Sequence, residues 1–120
     1  MLPKQKRLNL KKDFKWVAEG KSASSKSFKL FYRAGENRLP RIGIALSTKY
    51  FKKAHDRNRA KRLMSQAFCD TNHKLQNNLN IVALPNWRVF EVKSDSLKKE
   101  LEGLLGKEGL INEKDNAGAN

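Results

Sequence analysis

The chain has 120 residues, of which 26 are Lys or Arg and 12 are Asp or Glu, for a formal charge of +14. That length suits one compact domain and is short for two, while a cationic excess of this size repels itself unless a polyanion neutralises it. No apolar run approaches the roughly 18 residues that cross a bilayer, and no secretory signal opens the chain, so nucleic acid rather than a membrane is the expected partner and the cytoplasm the expected location.

In chain order, Lys4 to Arg7 form a basic arm. Phe14, Val17 and Ala18 then recur at i, i+3 and i+4, which predicts a helix over 11–19 with Asn9 in the N-cap position and Gly20 to stop it. Residues 21–26 are polar and read as a connector. Over 27–33 the pattern alternates: Phe28, Leu30 and Tyr32 point one way, and Lys29, Phe31 and Arg33 the other, so one strand face is core and the other both basic and aromatic. A turn at 35–39 and Pro40 precede a second strand over 41–47, with Ile42, Ile44 and Leu46 on its apolar side, and the two strands read as a hairpin.

Beyond a basic loop at 48–55, Ala60, Leu63, Met64 and Ala67 predict an amphipathic helix over 56–68. Ile81 to Leu84 form a short apolar strand ended by Pro85, and Leu97, Leu101, Leu104 and Leu105 line a last helix begun by Ser94 or Ser96. The order is helix, strand, strand, helix, strand, helix: an α+β fold in a single domain over 1–110, followed at 111–120 by a polar tail expected to be disordered. Cys69 is alone, so no internal disulfide forms, and His55 and His73 are not at metal-ligand spacing.

The charge is unevenly spread, with 19 Lys/Arg against 4 Asp/Glu in residues 1–62 and 7 against 8 thereafter, so the polyanion is expected on the first half. Its densest run is Lys52 to Arg62, KKAHDRNRAKR. At about 100° per residue, Arg57 and Lys61 share one helical row, Asn58 and Arg62 another, and Arg59 lies one turn below Arg62, opposite the apolar stripe. Arg offers planar donors to phosphate, and Asn58 both donates and accepts at a 2′-hydroxyl or base edge. A solvated basic face is the plain reading of any one charge run, but the chain-wide excess calls for a polyanion.

The run Lys53-Ala54-His55-Asp56-Arg57-Asn58-Arg59-Ala60-Lys61-Arg62-Leu63 closely resembles the R-N-R signature of the bacterial ribonuclease P protein family. Lys12-Asp13-Phe14, Gly20-Lys21, Phe28-Lys29-Leu30-Phe31, Arg41-Ile42-Gly43-Ile44 and Ala67-Phe68 agree in order and spacing, and the similarity spans about residues 8–105. It implies a small two-layer α/β sandwich with a left-handed βαβ crossover, against the usual handedness. It implies a surface for the catalytic RNA at Lys52, Lys53, Arg57, Asn58, Arg59, Lys61 and Arg62, and a groove for the single-stranded 5′ leader of precursor tRNA at Phe14, Phe31 and Lys49. The strand alternation adds Lys29 and Arg33 to that groove. Core packing is the second, less favoured reading of Phe14 and Phe31, since large apolar side chains are usually buried.

By the same resemblance the protein is an accessory subunit of an endoribonuclease, one protein per RNA, with no catalytic residue or metal of its own and Mg²⁺ bound mainly by the RNA. Asp13, Glu19, Glu36 and Asp56 are isolated among cations, which disfavours a self-sufficient two-metal nuclease. The alternative is a ribosomal or general RNA-chaperone protein, which shares the basicity and needs no leader groove. Two departures stand out: Ala18 replaces a second aromatic common late in the first helix, with Trp16 two residues earlier, and Ser65 and Cys69 replace often basic positions, so RNA-facing charge is expected to end at Arg62.

Overall fold

The computed structural model describes residues 2–111. Its elements are α1 (Leu10–Ala18), β1 (Lys21–Ser24), β2 (Phe28–Ala34), β3 (Arg41–Ile44), α2 (Ala54–Thr71), β4 (Leu79–Pro85) and α3 (Ser94–Lys107), with 3₁₀ turns at Lys4–Lys6, Asn72–Lys74 and Trp87–Phe90. The four strands form one sheet in the order β1-β2-β4-β3. β4 pairs antiparallel with β2, Leu30 opposite Ala83, and parallel with β3, Ile42 opposite Ile81. Being interior, β4 is apolar along nearly its whole length and buried on both faces, as strands covered on two sides are.

The expected hairpin between the second and third predicted elements is therefore absent, because β4 lies between them. The antiparallel neighbour of β2 across a short turn is β1, Ser22 opposite Phe31, in the segment expected to be a connector. Its sequence, KSAS, shows no apolar alternation because an edge strand exposed everywhere but at Ala23 is held by ladder hydrogen bonds more than by burial. The order thus gains a strand over the expected one. The strand expected over 41–47 ends at Ile44, with one further bond from the Ala45 N–H to the Ala83 carbonyl at 2.9 Å.

Alternation sorts the sheet into two faces. Phe28, Leu30, Tyr32, Ile42, Ile81 and Ala83 pack with Ala60, Met64 and Phe68 of α2 and with Leu97, Leu101 and Leu105 of α3. Phe31, Val82 and Leu84 meet Leu10, Phe14 and Val17 of α1 on the opposite face, together with Leu8. α2 runs beyond its expected end to Thr71 because Phe68 and Thr71 continue the buried stripe, the Thr71 hydroxyl donating to the Ala67 carbonyl at 3.1 Å. Asn9 caps α1 as expected, its side chain accepting from the Lys12 N–H at 3.3 Å.

Two glycines permit the close approach of α1. A Cβ at Gly20 would stand 2.5 Å from the Tyr32 carbonyl oxygen, and one at Gly43 would stand 2.7 Å from Leu10 Cδ2. The basic arm is docked as well: Arg7 bridges to Ile42, Leu2 and Leu8 are buried, and the Lys6 ammonium donates to Asn72 Oδ1 at the end of α2. Of the tail expected to be disordered, Ile111 is instead buried and bridged to Leu75, because the chain past α3 closes the core there; 112–120 lie outside the described residues.

α3 is tied to the sheet by polar contacts with few substitutes. Tyr32 donates its hydroxyl to Glu108 at 2.6 Å, and burial followed by the Glu108 carboxylate pushes the phenol up to about 12, keeping it a donor. Glu100 accepts from the Ser25 hydroxyl at 2.5 Å, the Ser27 N–H at 2.9 Å and the Ser27 hydroxyl at 3.0 Å, and Ser27 is fully buried. Glu100→Ala leaves the two Ser27 donors unpaired, so it should cost about 2 kcal/mol, read as a lower urea midpoint at unchanged slope, with Glu100→Gln recovering much of the loss.

Candidate nucleic-acid interface

The first turns of α2 project from the sheet end at which β3 and β4 finish, since β3 feeds α2 and β4 runs parallel to β3. Asn58, Arg59, Lys61 and Arg62 are exposed on the helix side opposite buried Ala60, Met64 and Ala67, and Lys52 and Lys53 are exposed just before it. His55, Asn58, Lys61 and Arg62 line an open depression of about 420 Å³. His55 was not anticipated as a site residue, although its spacing to Asn58 and Arg62 places it in the same row. Its Nε2 lies 3.1 Å from Asp56 Oδ1.

Arg57 differs from the expected cationic fan. Its guanidinium turns back and one terminal nitrogen donates to the carbonyls of Phe51 at 2.9 Å and Lys52 at 3.0 Å, holding the loop that enters the helix. Arg59 lies over the Phe90 ring at 4.8 Å, and that ring meets Phe51 edge-on at 5.6 Å. Ser65 is buried.

On the other face, α1 and β2 bring three of the expected groove residues together. The half-buried Phe14 and Phe31 rings pack edge to face at 6.5 Å, and the Lys29 ammonium sits 4.8 Å from the Phe31 centroid. The two rings pack against Val17 and Val82 and keep part of their surface exposed. Arg33 joins α1 farther along, donating to the Trp16 carbonyl at 3.1 Å with its guanidinium 4.6 Å from the indole.

Trp16 thus lines the far end of the seam, where Lys12, Asp13, Gly35, Arg41 and Asn80 surround an open depression of about 880 Å³. Lys49 lies in the loop after β3, exposed, with its ammonium 5.6 Å from the Tyr50 ring rather than on the Phe14–Phe31 pair. An aromatic floor flanked by cations can stack bases while tracking phosphates. Among the described residues, no three His, Cys, Asp or Glu side chains come together where a metal ion would need them, and no helix is long and apolar enough to cross a membrane.

A basic α+β protein with one cationic helix face and one aromatic seam has the makings of a nucleic-acid partner. Residues 2–109 match the family model described as Ribonuclease P. The chain is 34% identical over 104 residues to the ribonuclease P protein component of Blochmanniella pennsylvanica (strain BPEN), covering 86% of this chain and 90% of that one. It is 43% identical over 70 residues to the one from Legionella pneumophila (strain Lens), covering 58% of this chain and 61% of that one. The solved RNase P protein of Thermotoga maritima superposes with a TM-score of 0.75 at 30% identity, covering 84% of this chain and 96% of that chain. The chain belongs to the ribonuclease P protein component family, and the ribosomal or chaperone alternative falls away.

The two arginines that look equivalent in the signature should separate experimentally. Arg57→Ala releases two carbonyls near the helix start and should cost about 1.5–3 kcal/mol of stability. Arg62→Ala should leave the melting curve in place and instead lower the log–log salt slope of RNA binding by about 0.7–0.9.

Proposed function

We propose that this subunit works in the cytoplasm as one protein per catalytic RNA, docks on that RNA through the exposed face of α2, and holds the 5′ leader of precursor tRNA along the α1–β2 seam. The observation that carries the leader assignment is the Phe14–Phe31 pair, whose rings keep exposed surface beside the Lys29 ammonium. Unpaired bases find a π-face there. The Lys29 stem is long and its ammonium has three donors, so it can leave the ring for a passing phosphate.

Cleavage on this reading is hydrolysis of one phosphodiester by the RNA subunit. Magnesium ions held by that RNA supply charge stabilisation at the scissile phosphate. Among the described residues no three His, Cys, Asp or Glu side chains come together as a cage, and Asp13 and Glu36 share the lining of their depression with Lys12 and Arg41. Its part is binding: the cations of β2 and the loop after β3 screen the leader's charge, and the aromatic floor fixes its path. Incubating precursor tRNA and Mg²⁺ with protein alone, RNA alone and both tests the division, with cleavage expected wherever the RNA is present, fastest with both, and none with protein alone.

Phe31→Ala should weaken precursor tRNA binding to the assembled holoenzyme by about 1–3 kcal/mol and leave mature tRNA, which has no leader to stack, unchanged. If the ring served packing alone, the melting temperature would fall and both RNAs would bind alike. Parallel titrations with the two tRNAs, beside a thermal melt, decide it.

A further inference from the structure

The 3₁₀ turn Trp87–Phe90 is unaccounted for by either surface above. Trp87 is 48% exposed, the most exposed of the large apolar side chains among the described residues, and the Arg88 guanidinium lies 5.4 Å from its ring. The turn beneath is braced on three sides. The Asn86 side chain accepts from the Arg88 N–H at 2.8 Å and donates to the Lys26 carbonyl at 3.2 Å, the Asn86 N–H bonds to the Ser27 carbonyl at 2.9 Å, and Val89 is fully buried. A large ring displayed on a rigid turn loses little conformational freedom when it is covered, which is the economy of a binding residue.

Its neighbours indicate what would cover it. A 3₁₀ helix has three residues per turn, so Trp87 stands above Phe90, and Phe90 carries Arg59 of α2 on its face. Two cation-capped aromatics therefore continue the exposed α2 face beyond the helix. Phe90 also packs with the α2–α3 side of the sheet, not with the α1 side that bears the Phe14–Phe31 seam.

We propose that Trp87 and Arg88 form a platform on which one unpaired base of the catalytic RNA stacks, with the Arg88 guanidinium turned to the adjoining phosphate. This rests on the reading of α2 as the catalytic-RNA face. An aromatic takes any base and an arginine any phosphate, so the platform adds affinity and orientation without fixing sequence.

The chain has two tryptophans, so Trp16→Phe leaves Trp87 as the one reporter. Titrating that protein with the catalytic RNA alone should quench or shift Trp87 emission in step with complex formation seen by gel shift. Trp87→Ala should bind the catalytic RNA about tenfold more weakly, and Trp87→Phe should recover most of the loss. Unchanged emission in a formed complex overturns the proposal, as does emission that responds to precursor tRNA but not to the catalytic RNA. The doubly substituted Asn58→Ala, Arg62→Ala protein separates this from the underlying reading. Should that protein bind the catalytic RNA as tightly as wild type, both fall; should it lose affinity while Trp87 stays silent, the platform alone falls.

Discussion

The burial of β4 on both faces is the constraint from which the other features follow. A strand hydrogen-bonded to an antiparallel neighbour on one side and a parallel one on the other must have a crossover connection to the latter, and α2 is that crossover. Its first turn consequently rises where β3 ends, at the sheet edge where β4 also ends and the Trp87 turn begins. The cationic run is thus carried to one end of the molecule by topology, and the crevice outside the carboxyl ends of parallel strands is where such sheets commonly bind ligands. On the opposite face α1, nine residues long, is the cover for β2 and β4, and it leaves Phe14 and Phe31 half-exposed.

Part of the positive charge is lodged against aromatic rings and carbonyls. Lys29 on Phe31, Arg33 on Trp16, Lys49 on Tyr50, Arg59 on Phe90 and Arg88 on Trp87 place five cations over ring faces. Each such contact is worth about 0.5–1 kcal/mol at an exposed site, enough to bias a side chain and too little to hold it against a phosphate. Arg57 is the exception: its two carbonyl bonds commit it to the protein. Within the R-N-R signature, one arginine builds the helix entrance and the others remain available at its surface.

The three helices and β2 were legible because each buries one stripe or face, which periodicity reports, and the core of β4 because a strand buried on both faces reads as a short continuous apolar run. β1 was not, since KSAS buries little and is defined by its partner's backbone. Neither was the sheet order: Phe28 to Arg33 and Arg41 to Ile44 each alternate correctly, but alternation carries no information on which strand lies between them. Phe14, Lys29 and Phe31, grouped by alternation and resemblance, lie side by side in the structure. The inward turn of Arg57 and the exposure of Trp87 had no signal in spacing, because both depend on where a loop carbonyl or a braced turn lies in space.

The proposed division of the two RNAs between opposite faces of the sheet is tested most directly by tethered hydroxyl-radical cleavage in the assembled complex. With Cys69 replaced by Ala, an iron chelate is attached to a cysteine substituted either at Ser22, exposed and opposite Phe31, or at Gln66, exposed one turn past Arg62. The chelate at 22 should cut the leader of bound precursor tRNA, and the chelate at 66 should cut the catalytic RNA and spare the leader. Leader cleavage from position 66, or none from position 22 in a complex that still binds precursor, would contradict the assignment of the two faces.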